Sequence, residues 1–441
     1  MKQSKLKKRI LFSLCLALLL IVAPLVSALN VGNSENTSAV SPALSVLAEE
    51  NSMAMAGLRG GGIRLDREDF ARAMNLSKVS EITITQLPPI TDGELRVGNA
   101  VLTGPQTVSG GSLDLLTYTA SNADISSSSF RFRVGSSPVE ITCHLYLLDS
   151  INSAPTLGMV PETALNVSTH RNVTLYGFLP CYDPDGDETI IEIVSYPKSG
   201  TLVLSDRSTG EYSFTPGVGY AGKDSFTYVA RDKYGNYSAS ATVSLSVLKP
   251  STSVVYSDLS DSPVLNAALT MTEQGIMSGT QVGNHTYFYP EQTVSRGDFV
   301  VMAMHAIGMT EVTEVERTVF ADDASIPKQM KGYLETALRL GYISGEKNDA
   351  GRLCFYPQRK ITKAEAAVIL GKMLNAATPA LKPIFSDSEE VPVWAAPSVE
   401  ALSAIGVITP TDGKISPLAT LTRGDTACML HAVLQVRESR S

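Results

Sequence analysis

Cysteine is scarce and unpaired in this 441-residue sequence. Cys15 lies in an apolar run near the start, and Cys143, Cys181, Cys354 and Cys428 stand far apart with no CxxC or other close spacing. That arrangement supports neither a zinc site nor a disulfide framework. The five histidines, at 144, 170, 285, 305 and 431, are equally scattered. HExxH, GxSxG, Walker and dinucleotide fingerprints are all missing. In so acidic a chain no carboxylate pair stands out as a glycosidase pair. The sequence therefore reads as non-enzymatic.

Positive charge is also short, with 36 Lys and Arg against 44 Asp and Glu. Five of those cations belong to the leading MKQSKLKKRI, which is followed by the apolar LFSLCLALLLIVAPLV and the small-residue site Val26-Ser27-Ala28. Residues 1–28 read as a secretory signal peptide; the alternative is an uncleaved anchor. Cleavage after Ala28 leaves 31 cations against 44 acids, a formal charge of −13. Such a chain has no bulk attraction for nucleic acid or anionic membrane. Export without a disulfide framework points to a bacterial surface. Residues 29–77, rich in Ser, Ala, Asn and Gly, read as a flexible spacer with one short helix in LDREDFARAM.

From 78 to 249 the chain alternates in short runs such as EITITQL, FRFRV, TLVLS, SFTYVA and ATVSLSV, separated by Gly, Pro, Asp and Ser. Period-two alternation with frequent turns predicts β-sandwiches. Two related units are expected: a shortened one over 78–151 and a full one over 152–249. The second resembles the cadherin-like or Ig-like repeats of bacterial surface proteins, on NSAPT, YDPDGDE, PKSGTLVL, YSFTP, GKDSFTYVARDKYG and ATVSLSV. In YDPDGDE, Asp183, Asp185, Asp187 and Glu188 offer hard oxygens around a turn that Gly186 permits, a candidate calcium site. The alternative is a solvated Asp-Pro-Asp-Gly turn.

Past the linker KPSTS the pattern becomes helical and repeats about every 65 residues, over 255–310, 318–377 and 383–436. Each unit opens on an acid, Asp258, Asp322 or Asp387. A helical run follows, then GIMSG, GYISG or GVITP, then a proline, a cation and a second helix. Pro290, Pro357 and Pro417 each precede their cation, Arg296, Lys363 or Arg423, by six residues. Ser295-x-x-Asp298, Thr362-x-x-Glu365 and Thr422-x-x-Asp425 predict capping boxes that put the cations at the first helical position. The macrodipole disfavours a cation there. Two readings are open. In one, free N–H groups and the cation converge on an anion; in the other, the cation pairs with a neighbouring unit's acid and joins the repeats.

SRGD, TKAE and TRGD, with YSD, FAD and FSD opening the units, resemble the S-layer homology family, whose hallmark is Thr-Arg-Ala-Glu after a Phe-x-Pro turn. No unit carries that tetrapeptide unaltered. The resemblance implies an all-α, pseudo-threefold, three-unit bundle behind the β-sandwiches of a multidomain chain. It implies non-covalent binding to secondary cell-wall polysaccharide, often pyruvylated, in association with peptidoglycan. Arg296, Lys363 and Arg423 become the ligand residues, with Asp258, Asp322 and Asp387 secondary. Trp394, the chain's only tryptophan, becomes a sugar-stacking candidate or a core residue. The function expected is an extracellular anchor with the Ig-like units as stalk or adhesive. The alternative is an S-layer lattice subunit that self-associates through its β-domains, which calcium-dependent assembly of intact chains would favour.

Overall fold

The computed structural model describes residues 52–74, 76–157, 165–379, 385–411 and 413–440. The signal-peptide segment and the spacer up to residue 51 lie outside them. No described helix is long and apolar enough to cross a membrane.

The alternation read from the sequence becomes two sandwiches. Along β9 (Ile141–Leu148), Ile141, Cys143, Leu145 and Leu147 are buried while the residues between them are not, because successive side chains point to opposite faces. The first sandwich pairs a five-stranded sheet with a four-stranded one. The larger sheet runs β1 (Ser52–Leu58), β9, β8 (Ser127–Val134), β3 (Glu81–Gln86), β6 (Gln106–Ser109). The smaller runs β2 (Gly62–Leu65), β7 (Leu116–Ala120), β4 (Gly93–Val97), β5 (Ala100–Val101). Helix α1 (Arg67–Ala73) starts on an Asp66 capping box and drives Phe70 edge-on against Phe132 in the core.

The second sandwich repeats that topology. One sheet is β10 (Leu165–His170), β16 (Ala241–Leu248), β15 (Gly222–Asp232), β12 (Thr189–Ser195); the other is β11 (Leu175–Phe178), β14 (Glu211–Pro216), β13 (Gly200–Asp206). In both sandwiches the first strand runs parallel to the last, β1 on β9 and β10 on β16.

Two expectations are corrected here. Residues 52–77 do not belong to a spacer: Met53, Ile63, Leu65, Phe70 and Met74 are buried in the first core, and β1 pairs along its whole length. Without those two strands the 78–151 segment would leave a sheet edge and half a core uncovered. The first unit is accordingly not shortened. It holds the seven strands of the second and adds β5, β6 and α1.

The sandwiches meet at the turn after β15. Gly235, at φ 92°, passes so close to β1 that a Cβ there would lie 1.9 Å from Ala54 O. Only glycine fits such an approach. Buried Asp232 holds the turn by accepting from Tyr234 N, Asn236 N, Asn236 Nδ2 and Asn152 Nδ2, and Tyr234 packs edge-on against Tyr146.

Among the described residues, the C-terminal region has one core around six α-helices, α2 (Leu265–Glu273), α3 (Arg296–Ala306), α4 (Lys328–Arg339), α5 (Lys363–Leu374), α6 (Ala396–Ala404) and α7 (Arg423–Arg440). α3 packs on α4, α5 on α6 and α7 on α2, and α3 also touches α5 and α7. α3 and α5 are apolar on most sides, which places them inward; α4 buries only Gly332, Leu334 and Ala337 and covers them from outside. The region is not all-α as expected. Hairpins β17 (Thr280–Val282) with β18 (His285–Tyr287), and β19 (Glu346–Lys347) with β20 (Leu353–Cys354), follow α2 and α4. A Thr411–Lys414 bridge stands in the corresponding place after α6. In each case the chain reverses just before the proline, and a short ladder satisfies its N–H and C=O groups.

Candidate functional site

Each opening acid is spent on backbone. Asp258 accepts from Phe288 N (2.9 Å) and Tyr289 N (2.7 Å). Asp322 accepts from Phe355 N and Tyr356 N, both at 2.8 Å. Asp387 accepts from Ile415 N (3.0 Å) and Ser416 N (2.6 Å). The second residue of each pair is left-handed, with Tyr289, Tyr356 and Ser416 at φ 57°, 58° and 53°. The acids hold a strained turn in front of the proline, so these carboxylates face backbone and not an open surface.

That turn serves another unit's helix. Arg296 N and Gly297 N, at the start of α3, donate to Arg359 O and Pro357 O of the second unit. Lys363 N and Ala364 N donate to Ala419 O and Pro417 O of the third, and Arg423 N and Gly424 N donate to Gln292 O and Pro290 O of the first. The contacts close into a ring. The third helical N–H goes to the cap hydroxyl of Ser295, Thr362 or Thr422. The full reciprocal box forms at Thr362 and Thr422; at Ser295 the acid Asp298 takes the cap hydroxyl instead. The free N–H groups expected to receive an anion are therefore occupied, because the neighbour's carbonyls reach them first. What remains for a ligand is the cation side chain.

The three cations differ. Arg296 is buried, its side chain 8 % exposed, over the Phe355 ring at 5.2 Å. Nη2 reaches Ser344 O at 3.4 Å and Nη1 lies 3.7 Å from Glu365. Its Nε is buried with no hydrogen-bond partner. Burial pulls its pKa below the ordinary arginine value, against the pull of Glu365. Arg423 repeats the pose over Phe288 at 4.7 Å, but donates Nε to Phe288 O (2.9 Å) and Nη2 to Ser278 O (2.7 Å). Lys363 is more open than Arg296, its side chain 28 % exposed, with Nζ 3.3 Å from Asp425. The third unit has Ile415 where the others have Phe288 and Phe355. The one lysine thus starts the helix that faces the one unit without the ring, consistent with the preference of guanidinium for aromatic faces.

Both readings of the cation keep something. Arg296, Lys363 and Arg423 all reach into the adjacent unit and join it, and Arg296 retains an unused donor. The phenylalanines, Ser278 and Ser344 escaped the sequence reading as site residues, although the aromatic at Pro−2 recurs in two units; Glu365 was read only as a capping acid. Trp394 is 58 % exposed and Val393 beside it 91 %, which removes the core alternative. It stands just before α6, which packs on the helix that Lys363 begins.

In the second sandwich, carboxylate oxygens of Asp183, Asp185 and Asp187 lie within 4.8 Å of one another, while Glu188 is exposed and outside that group. Asp183 Oδ1 accepts from Asp185 N and Asp187 N, and Asp185 Oδ2 accepts from Ser153 N. Asp187 Oδ1 meets Lys233 Nζ at 2.9 Å. Asp183 Oδ2 and Asp187 Oδ2 are buried without a partner. Burial pushes the Asp183 carboxyl up. Two unsatisfied hard oxygens on adjacent acids fit a divalent cation; the nearby ammonium neutralises one of the three acids already.

Comparison with known proteins finds two family models that match parts of the chain. Residues 152–246 match the bacterial Ig domain, and residues 319–367 and 384–427 match the S-layer homology domain. An amylopullulanase of Thermoanaerobacterium thermosulfurigenes is 30 % identical over 106 residues, 23 % of this chain; the matched part is 6 % of the amylopullulanase. Among solved structures, the fibronectin(III)-like modules of Clostridium thermocellum CbhA are similar over 45 % of this chain and 91 % of theirs, at 15 % identity and TM-score 0.21. Human CDH23 EC21-23 is similar over 45 % of this chain and 68 % of its own, at 12 % identity and TM-score 0.20. The chain thus combines S-layer homology repeats with a bacterial Ig-like domain. It is a bacterial extracellular protein associated with the cell wall.

Proposed function

We propose that the helical region anchors the chain to secondary cell-wall polysaccharide, and that the two sandwiches form a stalk or adhesive module beyond it. The region then consists of three S-layer homology units, over 255–310, 318–377 and 383–436, arranged about a pseudo-threefold axis by the closed ring of helix-start contacts. No catalytic role belongs to this proposal. The observation that carries it is the buried Arg296 Nε without an acceptor: a desolvated donor where two units meet calls for one, and a pyruvate ketal carboxylate would supply it. Lys363, with Trp394 on the adjoining helix start, offers a second site. Arg423, with two donors spent on carbonyls, offers least. Individually weak sites would add up through multivalency.

The test is sedimentation of the chain with purified walls, before and after chemical removal of the non-peptidoglycan polysaccharide. Binding should disappear on stripping. Lys363→Ala, which gives up one partly exposed ion pair, and Arg296→Lys, which keeps the charge and loses the fork, should each weaken binding by about tenfold without changing the helical circular dichroism. Binding that ignores both the stripping and the folded variants would sink the anchor reading and leave the cations a joining role only.

We also propose calcium at Asp183, Asp185 and Asp187. At a hundredfold excess over its dissociation constant, calcium should stabilise the second sandwich by about 2.7 kcal/mol, raising its melting temperature. Asp187→Asn should abolish that rise. An identical rise in the variant would place the ion elsewhere.

A further inference from the structure

Where the second sandwich meets the helical region, a single histidine is gripped by both. His170, the last residue of β10, is 1 % exposed. Its backbone N–H, at 3.1 Å, and its Nδ1, at 2.9 Å, both reach Asn266 Oδ1 on α2. Asn266 Nδ2 in turn donates to Ser168 O at 2.8 Å. These two backbone contacts fix which way the amide points: the atom facing the ring is an acceptor, so Nδ1 must carry a hydrogen.

On the other side of the ring, Nε2 lies 2.9 Å from Glu273 Oε2. The second carboxylate oxygen, Oε1, accepts from Ser251 N (2.6 Å) and Thr252 N (3.2 Å) in the linker. A neutral imidazole has one N–H, and this ring faces two acceptors. Only the imidazolium satisfies both.

The surroundings agree. Burial alone would push the Glu273 carboxyl up, but the hydrogen bond from His170 and those from the linker hold it below its usual range. The titratable groups facing the ring are Glu273 from α2 and His431 from α7; burial, and then the charge of His170, push His431 down to about 4. His431 therefore stays neutral beside the imidazolium, and Glu273 supplies the counter-charge. Three residues further on, Val173 is buried in the core of the helical region, so the junction is packed as well as bonded.

We propose that His170 is a protonation-dependent lock between the Ig-like domain and the helical region. Doubly protonated, it ties β10 to α2 and, through Glu273, to the linker. When the ring loses a proton, one of its two contacts becomes lone pair against lone pair, and the largely buried Glu273 carboxylate loses its counter-charge. The lock is closed while the ring carries both protons and loosens when it carries one. A chain held on a surface by its helical region would then present its sandwiches at a fixed angle only while the lock is closed.

The experiment uses the whole chain from residue 29, with ¹⁵N-histidine labelling and amide hydrogen exchange followed across pH. His170 should show two ring N–H groups on the acid side. As it titrates, protection of the His170, Ser251 and Thr252 amides, corrected for intrinsic exchange, should fall by about tenfold, the loss of one charge-assisted hydrogen bond. Phe226 in the body of the sandwich should keep its protection. Glu273→Gln retains the shape and removes the charge, and should leave those three amides at the lower protection at every pH. His170→Gln should do the same if it folds. A ring with a single N–H on the acid side would overturn the proposal. So would junction protection that does not follow the ring's titration, or that still follows it unchanged in Glu273→Gln.

Discussion

Asp387→Ala is expected to destabilise the helical region by about 3–6 kcal/mol, the sum of two hydrogen bonds to a charged acceptor at about 1.5–3 kcal/mol each. The carboxylate is buried and receives Ile415 N and Ser416 N. The alanine variant leaves both donors without an acceptor at the left-handed Ser416. The same turn presents Pro417 O and Ala419 O to the start of α5, so the loss spreads to the joint between the second and third units. Chemical denaturation followed by helical circular dichroism reads the effect directly. Asp387→Asn keeps one acceptor oxygen and should fall between wild type and alanine. A loss below about 1 kcal/mol for alanine would mean that the turn holds its shape without the acid, and that Asp258, Asp322 and Asp387 are free for ligand after all.

The second large effect is acid sensitivity at His431. Burial pushes this imidazole down to about 4, against about 6.5 in an unfolded chain. The unfolded state therefore takes up the proton first as pH falls. The stability contributed by the neutral ring is fully present above about 6.5 and is lost progressively toward pH 4, up to about 3 kcal/mol at 1.36 kcal/mol per unit. His431→Gln, which removes the titration, should lower stability at pH 7 and close the gap with wild type near pH 4. The difference between the two proteins isolates this group from the carboxylates that titrate in the same range. A gap that stays constant from pH 7 to pH 4 would show that His431 titrates alike in folded and unfolded chains. The sign is opposite to that of the His170 lock, so a single pH series on the two variants separates them.

The two buried histidines show where sequence reading stops. All five histidines look alike in a sequence without metal or catalytic spacing. The distinction between a neutral core ring and a doubly donating clamp comes from what packs against each. His170 is separated by 96 residues from Asn266 and by 103 from Glu273, and nothing local announces either partner.

The repeat itself was legible. Alternation of period two is a direct consequence of strand geometry, and the 64- and 65-residue spacing of Asp258, Asp322 and Asp387 survives because each acid does the same local work. The cap hydroxyls and the cations at the helix starts follow from rules that act within four residues. The expected spacer over 52–77 failed for the complementary reason: SMAMAGL is small-residue and weakly patterned, and becomes a strand only because β9 offers it an edge. Propensity in such a segment is overridden by pairing.

The sequence by itself determined the two sandwiches, the three helical repeats and the residues at each turn, since those depend on periodicity and on short-range hydrogen bonding. Only the tertiary structure decided which turn each helix start rests on. The proline six residues before a cation does not serve that cation's helix. It serves the helix of the preceding unit, and Pro290 closes the ring by receiving Gly424 from the far end of the chain. That closure uses up the N–H groups that a local reading leaves free, spends two of Arg423's donors on the first unit, and leaves Arg296 with one donor unused. Helix-end groups are satisfied by whichever acceptor packing brings within reach, and packing is a property of the folded chain and not of any stretch of it.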